Sequence, residues 1–88
     1  MTRYRLKFKR SAERAFLGLP RDVQPRLDKR LLALQDDPRP PGTKALAGET
    51  GLHRLQVGDY RVVYEVHDKE ILVLVLAIGH RRETYRRR

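Results

Sequence analysis

The chain has 88 residues, which is enough for one domain spanning residues 1–88 and leaves no room for a second. Twenty Lys and Arg residues against eleven Asp and Glu give a formal net charge of +9, so the expected partner is nucleic acid or a strongly acidic protein. Cysteine is absent, which excludes a disulfide framework, a thiolate nucleophile and a cysteine-based zinc site. No apolar run approaches the roughly 18–20 residues of a membrane span, so we expect a cytoplasmic protein with no membrane partner.

The N-terminal residues predict a strand followed by a short helix. Residues 3–9 alternate basic and apolar side chains, which is typical of a half-buried strand with Tyr4, Leu6 and Phe8 facing inward. Ser11 is the expected N-cap of the helix, which ends near Gly18.

A second helix is predicted to begin after Asp22 and to run to about Gln35. Its apolar residues are spaced by four, four and three positions, as on one face of a helix: Val23, Leu27, Leu31 and Leu34. The Asp-Pro-Arg-Pro-Pro-Gly sequence at 37–42 stops this helix, and no clear periodicity follows as far as Gly51. We expect either a functional loop there or a segment that packs across the sheet through Leu46.

The second half of the chain predicts three consecutive strands. The first covers residues 52–57, and Gly58-Asp59 forms a tight turn into the second, over 60–67. Residues 71–79 are almost all apolar, which predicts a central strand buried on both faces. The resulting order, β-α-α-β-β-β, predicts an α+β fold in which two N-terminal helices pack on one face of a small, mainly antiparallel sheet.

Basic residues on this sheet form the candidate functional cluster. Alternation places Leu55 and Val57 opposite Arg54 and Gln56, and it fixes Arg61 on the neighbouring strand. The chain that leaves the last strand is expected to bring further candidates alongside: His80, Arg81 and Tyr85. A guanidinium on a sheet cannot swing freely, and its planar fork of donors suits a phosphate.

Such a cluster is suited to metal-independent cleavage of RNA. A proton must leave a 2′-hydroxyl and another must reach the departing 5′-oxygen; Tyr85, His80 or an arginine in an unusual environment could fill these roles. Arg61 and Arg81 would balance the added negative charge of the phosphorane. We therefore expect neither a metal nor a cofactor.

The same residues also have a purely structural interpretation. In a chain so rich in arginine, several side chains align on a sheet face by chance, and most charged faces are only solvated. Three tyrosines are expected to pack in the core or on the sheet: Tyr4, Tyr60 and Tyr64. His53 and His67 are expected at the surface. Tyr85 lies among charged residues, in a segment without the periodic apolar residues that would indicate burial. Its ring could therefore stack on a base, or its hydroxyl could contact a phosphate.

Several stretches, in this order along the chain, resemble the RelE/ParE toxin superfamily of bacterial and archaeal type II toxin–antitoxin systems. They are Tyr4-Arg-Leu-Lys-Phe8 with Ser11-Ala12, residues 37–48, Val57-Gly-Asp-Tyr-Arg-Val-Val-Tyr-Glu65 and Gly79-His-Arg-Arg-Glu-Thr-Tyr85. The resemblance covers essentially the whole chain and implies a RelE-like fold. It also implies a small basic toxin that is neutralised by an acidic antitoxin and meets operator DNA only within the toxin–antitoxin complex.

In the RelE branch, the resemblance implies metal-independent cleavage of mRNA in the ribosomal A site, which inhibits translation. The residues at matching catalytic positions are Arg54, Arg61, Arg81 and Tyr85, and the expected RNA-binding residues are His80, Arg82, Gln56 and Arg86. Two positions depart from the RelE pattern, because Arg54 replaces what is often a lysine and Gln56 stands where a second lysine can occur. A neutral amide cannot act as a cationic acid, so the acid–base step is where this chain differs most.

Two alternatives to an RNA-cleaving toxin follow from the same resemblance. The ParE branch shares the fold but acts as a gyrase poison, and it generally lacks the tyrosine and arginine set found here. A degenerate member would bind only antitoxin and operator DNA through the same basic surface. Retention of Arg61, Arg81 and Tyr85 together favours the RelE branch.

Overall fold

The computed structural model describes residues 3–41, 43–45 and 51–80, which form two helices and one sheet. In chain order the elements are β1 (Arg5–Phe8), α1 (Arg10–Leu17), α2 (Val23–Ala33), β2 (Thr43–Ala45), β3 (Leu52–Val57), β4 (Tyr60–His67) and β5 (Leu72–His80). Neither helix in this part of the chain is long and apolar enough to cross a membrane.

Both helices form where the sequence predicts them, but the cap of α1 differs. The helix starts at Arg10 with Lys9 as N-cap, so the prediction of Ser11 as the cap is wrong. The physical reason is that β1 passes directly into the helix: the Lys9 amide still donates to the carbonyl of Val75 at 2.8 Å, and the next residue is already helical. Asp22 occupies the N-cap of α2 as predicted, without a side-chain cap bond.

Among the residues described, the sheet has five strands in the order β1-β5-β4-β3-β2. The strand β1 runs parallel to β5, and the other neighbours are antiparallel. The predicted α+β class, with two helices and a mainly antiparallel sheet, is confirmed. The short strand β2 is an addition to the predicted order, in a segment predicted to lack regular structure, because pairing with β3 supplies the order that the local sequence does not specify.

The helices cover one face of the sheet and form the core there. The predicted stripe of α2 is fully or nearly buried against inward-facing residues of β3, β4 and β5, including Leu55, Val62, Tyr64, Val73 and Val75. The apolar strand β5 is buried on this face only. Leu72 and Leu74 point to the other face and remain partly exposed, so the prediction of burial on both faces is wrong. The centre of the sheet is β4, because β1 pairs with the far edge of β5.

Candidate nucleic-acid interface

Arg61 is held in the central strand, on the face that the helices leave open. Its Cα partners are Gln56 on β3 and Gly79 on β5, so one neighbour carries an amide and the other has no side chain. The turn before it is built as predicted: Gly58 has φ of +59°, a conformation that glycine adopts without steric cost. The hairpin therefore fixes both the register and the direction of the Arg61 side chain.

Arg61 is more enclosed than a residue on an open sheet face is expected to be. Only 8% of it is exposed. At Arg61 the strand has a neighbour on each side, so the aliphatic stem of the side chain lies over paired backbone. A charge in such a place has lost part of its hydration and interacts more strongly with an anion than the same charge in bulk water.

Arg54 and Gln56 share the open face with Arg61. Arg54 lies opposite Val63, two residues along from Arg61, and is therefore a diagonal neighbour of it across β3 and β4. The side-chain amide of Gln56 donates to the carbonyl of Gly58 at 2.8 Å, so this amide is oriented by the hairpin turn. The structure thus brings together three of the predicted site residues.

His80 is placed elsewhere. It pairs with Tyr60 at the end of β5, and the two rings meet edge to face with centroids 5.3 Å apart. Because Tyr60 packs against the core, this pair lies on the helix side of the sheet, opposite to Arg61. The structure therefore does not bring His80 alongside Arg61 as predicted. The remaining predicted site residues, Arg81, Arg82, Tyr85 and Arg86, lie outside the residues that the structure describes.

The open face carries basic residues on three of its strands. Arg54 and Arg61 lie on β3 and β4. Arg5 and Lys7 on β1 pair with Leu72 and Leu74 of β5, which lie across from His67 and Glu65 at the end of β4 remote from Arg61. The acidic residue on this face of β4, Glu65, is paired with the ring of His67 at 2.9 Å near the far end of the strand. Arg61 therefore lies away from this carboxylate, on a part of the face suited to a polyanion.

A second polar cluster, which the sequence did not reveal, closes the opposite end of the sheet. Asp68 follows β4 and accepts hydrogen bonds from the Nη1 and Nη2 atoms of Arg39, at 3.3 and 2.8 Å, and from the Tyr4 hydroxyl at 2.7 Å. These bonds, first from Arg39 and then from Tyr4, hold the pKa of Asp68 below its usual range; the bond to Asp68 raises the pKa of Tyr4. Seven residues of extended chain, about 23 Å, separate Asp68 from Arg61, so this cluster is not part of the interface.

His53 lies beside that cluster and is buried, at 8% exposure, so its predicted surface position is wrong. It follows the same alternation as Leu55 and Val57 and therefore faces the core, where its ring packs 5.5 Å from that of Tyr64. Burial, with repulsion from Arg39 as the second cause, lowers its pKa. The alternation of residues along β3 indicates that His53 faces the core, but the polarity of histidine favoured a surface position.

Comparisons with known proteins agree with the fold and extend the interpretation. Residues 3–85 match a family model described as the ParE toxin of the type II toxin–antitoxin system parDE. A RelE-like toxin protein of Escherichia coli is 30% identical over 84 residues, which cover 93% of this chain and 87% of that protein.

Solved structures of RelE proteins have the same fold. The toxin chain in the intact RelBE toxin–antitoxin complex of E. coli superposes with a TM-score of 0.79 at 29% identity, covering 88% of this chain and 95% of that one. A chain of the RelBE2 toxin–antitoxin complex of Mycobacterium tuberculosis superposes with a TM-score of 0.80 at 26% identity, covering 92% of this chain and 94% of that one. The similarity therefore extends over nearly the full length of each toxin.

Proposed function

Because the chain belongs to the ParE toxin family of type II toxin–antitoxin systems and is RelE-like, we propose that it is a metal-independent, ribosome-dependent mRNA endoribonuclease that inhibits translation. The observation that supports this proposal most is the position of Arg61: a guanidinium held by the central hairpin on the face opposite to the helices, beside Gln56 and diagonal to Arg54. The residue across from it on β5 is Gly79, which has no side chain.

The proposed reaction is an in-line displacement at phosphorus. The 2′-oxygen of the cleaved nucleotide forms a bond to phosphorus, its proton goes to a base, and the bond from phosphorus to the 5′-oxygen breaks as that oxygen gains a proton. Arg61 would hold the non-bridging oxygens, where the additional charge of the phosphorane develops. Arg54, its diagonal neighbour, would bind the same phosphodiester, and Gln56 would donate a neutral hydrogen bond.

The proton-transfer roles are assigned by family resemblance. Tyr85 and Arg81 match the tyrosine and arginine of the RelE branch, and both are proposed to act at the phosphate. Arg81→Ala should therefore reduce cleavage at least tenfold. Tyr85→Phe tests the role of the hydroxyl. Impaired cleavage by this variant would indicate that the hydroxyl carries a proton or contacts phosphate. Normal cleavage by Tyr85→Phe together with impaired cleavage by Tyr85→Ala would indicate that the ring acts by stacking alone.

An acidic antitoxin is the proposed protein partner, and operator DNA would be met only through the resulting complex. The open face has basic residues, Arg5 and Lys7, next to the partly exposed Leu72 and Leu74. This combination fits an amphipathic segment with acidic and apolar side chains. The similar structures include complexes of RelE toxins with RelB antitoxins.

The experiment is a reconstituted translation reaction with purified toxin, in which mRNA ends are mapped by primer extension. Arg61→Met keeps the aliphatic stem that packs on the sheet and removes the charge; Arg14→Met, on the exposed face of α1, is the matched control. Arg61→Met should reduce cleavage at least tenfold, because a charge-assisted phosphate contact is worth roughly 1.5–3 kcal/mol. Equal cleavage by the wild type and Arg61→Met would remove the proposed site.

Gyrase inhibition is the second candidate, because the matching family model is that of ParE toxins. A supercoiling assay with the same preparation separates the two activities. Intact mRNA with inhibited gyrase would assign the chain to the ParE branch, and the basic sheet would then be a binding surface. Intact mRNA, active gyrase and normal growth on expression would indicate a member that binds only antitoxin and operator DNA.

A further inference from the structure

Arg26 lies at the same end of the molecule as Arg61, but on the helical side of the sheet. It is the fourth residue of α2, and its Nη2 atom is 3.1 Å from the point that a Cβ atom on Gly58 would occupy. Gly58 opens the turn between β3 and β4, so the missing side chain leaves space for this guanidinium over the turn. The helix therefore delivers an arginine to the edge of the proposed RNA site.

The charge of Arg26 is not neutralised within the part of the chain that the structure describes. The side chain is exposed and has no carboxylate within 4.0 Å, although Asp59 directly follows Gly58. By contrast, Arg3 and Arg39 each pair with an aspartate. An arginine that is positioned against a turn and lacks an internal anion is suited to an external one.

Two aromatic rings occupy the same side and the same end of the sheet as Arg26. Tyr60 and His80 lie on the helix side of the same sheet end, with their rings in edge-to-face contact. Arg61 follows Tyr60 in the chain and points to the opposite face. An RNA strand bound at Arg61 can therefore continue around this end of the sheet and meet Arg26 beyond the turn.

We propose that Arg26 binds a backbone phosphate of the mRNA next to the cleaved nucleotide, so that the RNA interface extends from the open sheet face around the β3–β4 turn. This inference rests on the proposed ribonuclease function. Arg26 is a binding residue in this scheme and takes no part in proton transfer. Its removal should therefore weaken RNA capture and leave the bond-breaking step intact.

The test compares Arg26→Ala with Arg26→Lys and with Arg30→Ala, a matched control one helical turn further along the exposed side of α2. Single-turnover cleavage of mRNA on ribosomes is measured against toxin concentration at several salt concentrations. For Arg26→Ala, the toxin concentration that gives half the maximal rate should rise about tenfold, and its logarithmic salt dependence should fall by about 0.7, as expected for one lost phosphate contact on a single strand.

The maximal rate of Arg26→Ala should stay within about twofold of the wild type, and Arg26→Lys should recover most of the lost affinity because it keeps the charge. Urea midpoints equal to that of Arg30→Ala would confirm that the fold is unchanged. Equal half-maximal concentrations for Arg26→Ala and Arg30→Ala, or no recovery by Arg26→Lys, would overturn the inference.

Failure of this inference is distinguishable from failure of the proposed function. Wild-type cleavage that Arg61→Met abolishes and Arg26→Ala leaves unchanged overturns the role of Arg26 alone. Absence of codon-phased cleavage by the wild-type chain overturns the proposed function and the Arg26 contact with it.

Discussion

Replacing Tyr64 with Phe removes one buried hydroxyl from the centre of the sheet and, with it, the hydrogen bond to Pro38. Tyr64 is fully buried in β4, and its hydroxyl donates to the carbonyl of Pro38 at 2.7 Å, in the segment that follows α2. Pro38 is itself buried, so its carbonyl has no ready replacement from solvent. Burial also raises the pKa of Tyr64, so the hydroxyl stays protonated and keeps donating at neutral pH.

The expected cost of Tyr64→Phe follows from the carbonyl that is left without its donor. An unsatisfied buried acceptor costs about 1–3 kcal/mol, and the ring that packs in the core is retained. With a mid-range cost of about 2 kcal/mol, the melting temperature of a domain of this size should fall by roughly 8–16 °C.

Urea unfolding, followed by circular dichroism, measures this cost in the background of Arg61→Met, the variant that is expected to lack the proposed activity. The midpoint should fall with no change in the slope m. Tyr60→Phe is the matched control, because the Tyr60 hydroxyl makes no hydrogen bond among the described residues; its effect should stay within about 0.5 kcal/mol. Equal stabilities of Tyr64→Phe and Tyr60→Phe would refute the contribution assigned to the bond to Pro38.

Two pH-dependent predictions concern the opposite end of the sheet. Burial and the charge of Arg39 lower the pKa of His53, so the unfolded chain binds a proton at this residue more readily than the folded chain does. The stability of the wild type should therefore fall as pH drops through about 6.5, and His53→Phe should remove that loss. The same dependence of stability on pH between 7 and 5 in His53→Phe and the wild type would contradict this prediction. The bonds from Arg39 and Tyr4 lower the pKa of Asp68, so its contribution to stability is present above its usual pKa and is lost as pH falls through the lowered value. Asp68→Asn should therefore lower the urea midpoint at pH 7 and reduce the further loss of stability as the pH is lowered. Asp59→Asn, at an exposed position, should do neither. The same loss of stability at acid pH in both variants would contradict the contribution assigned to the Asp68 cluster.

The elements that local pattern determines could be predicted from the sequence. The α2 stripe and the Gly58 hairpin are specified by short-range spacing and by the φ that the turn needs, and both form as predicted. The same hairpin register places Arg61 beside Gln56 and diagonal to Arg54. This part of the candidate site follows from alternation alone.

Features that depend on long-range pairing could not be predicted in this way. The strand β2 exists because β3 offers a free edge, and the order of the sheet depends on where β1 pairs. The bonds among Arg39, Asp68 and Tyr4 join residues up to 64 positions apart, which no local pattern reports. The face on which His80 lies depends on its register with Tyr60, and the approach of Arg26 to Gly58 depends on how α2 packs on the sheet.

Arg61 is the residue on which the proposed ribonuclease activity depends most, and mapping mRNA ends in a reconstituted translation reaction tests it most directly. We predict cuts in phase with codons when wild-type toxin is added, and loss of these cuts with Arg61→Met while Arg14→Met cleaves normally. Intact mRNA with the wild-type toxin, or the same cuts with Arg61→Met, would contradict the proposal that this guanidinium holds the reacting phosphate.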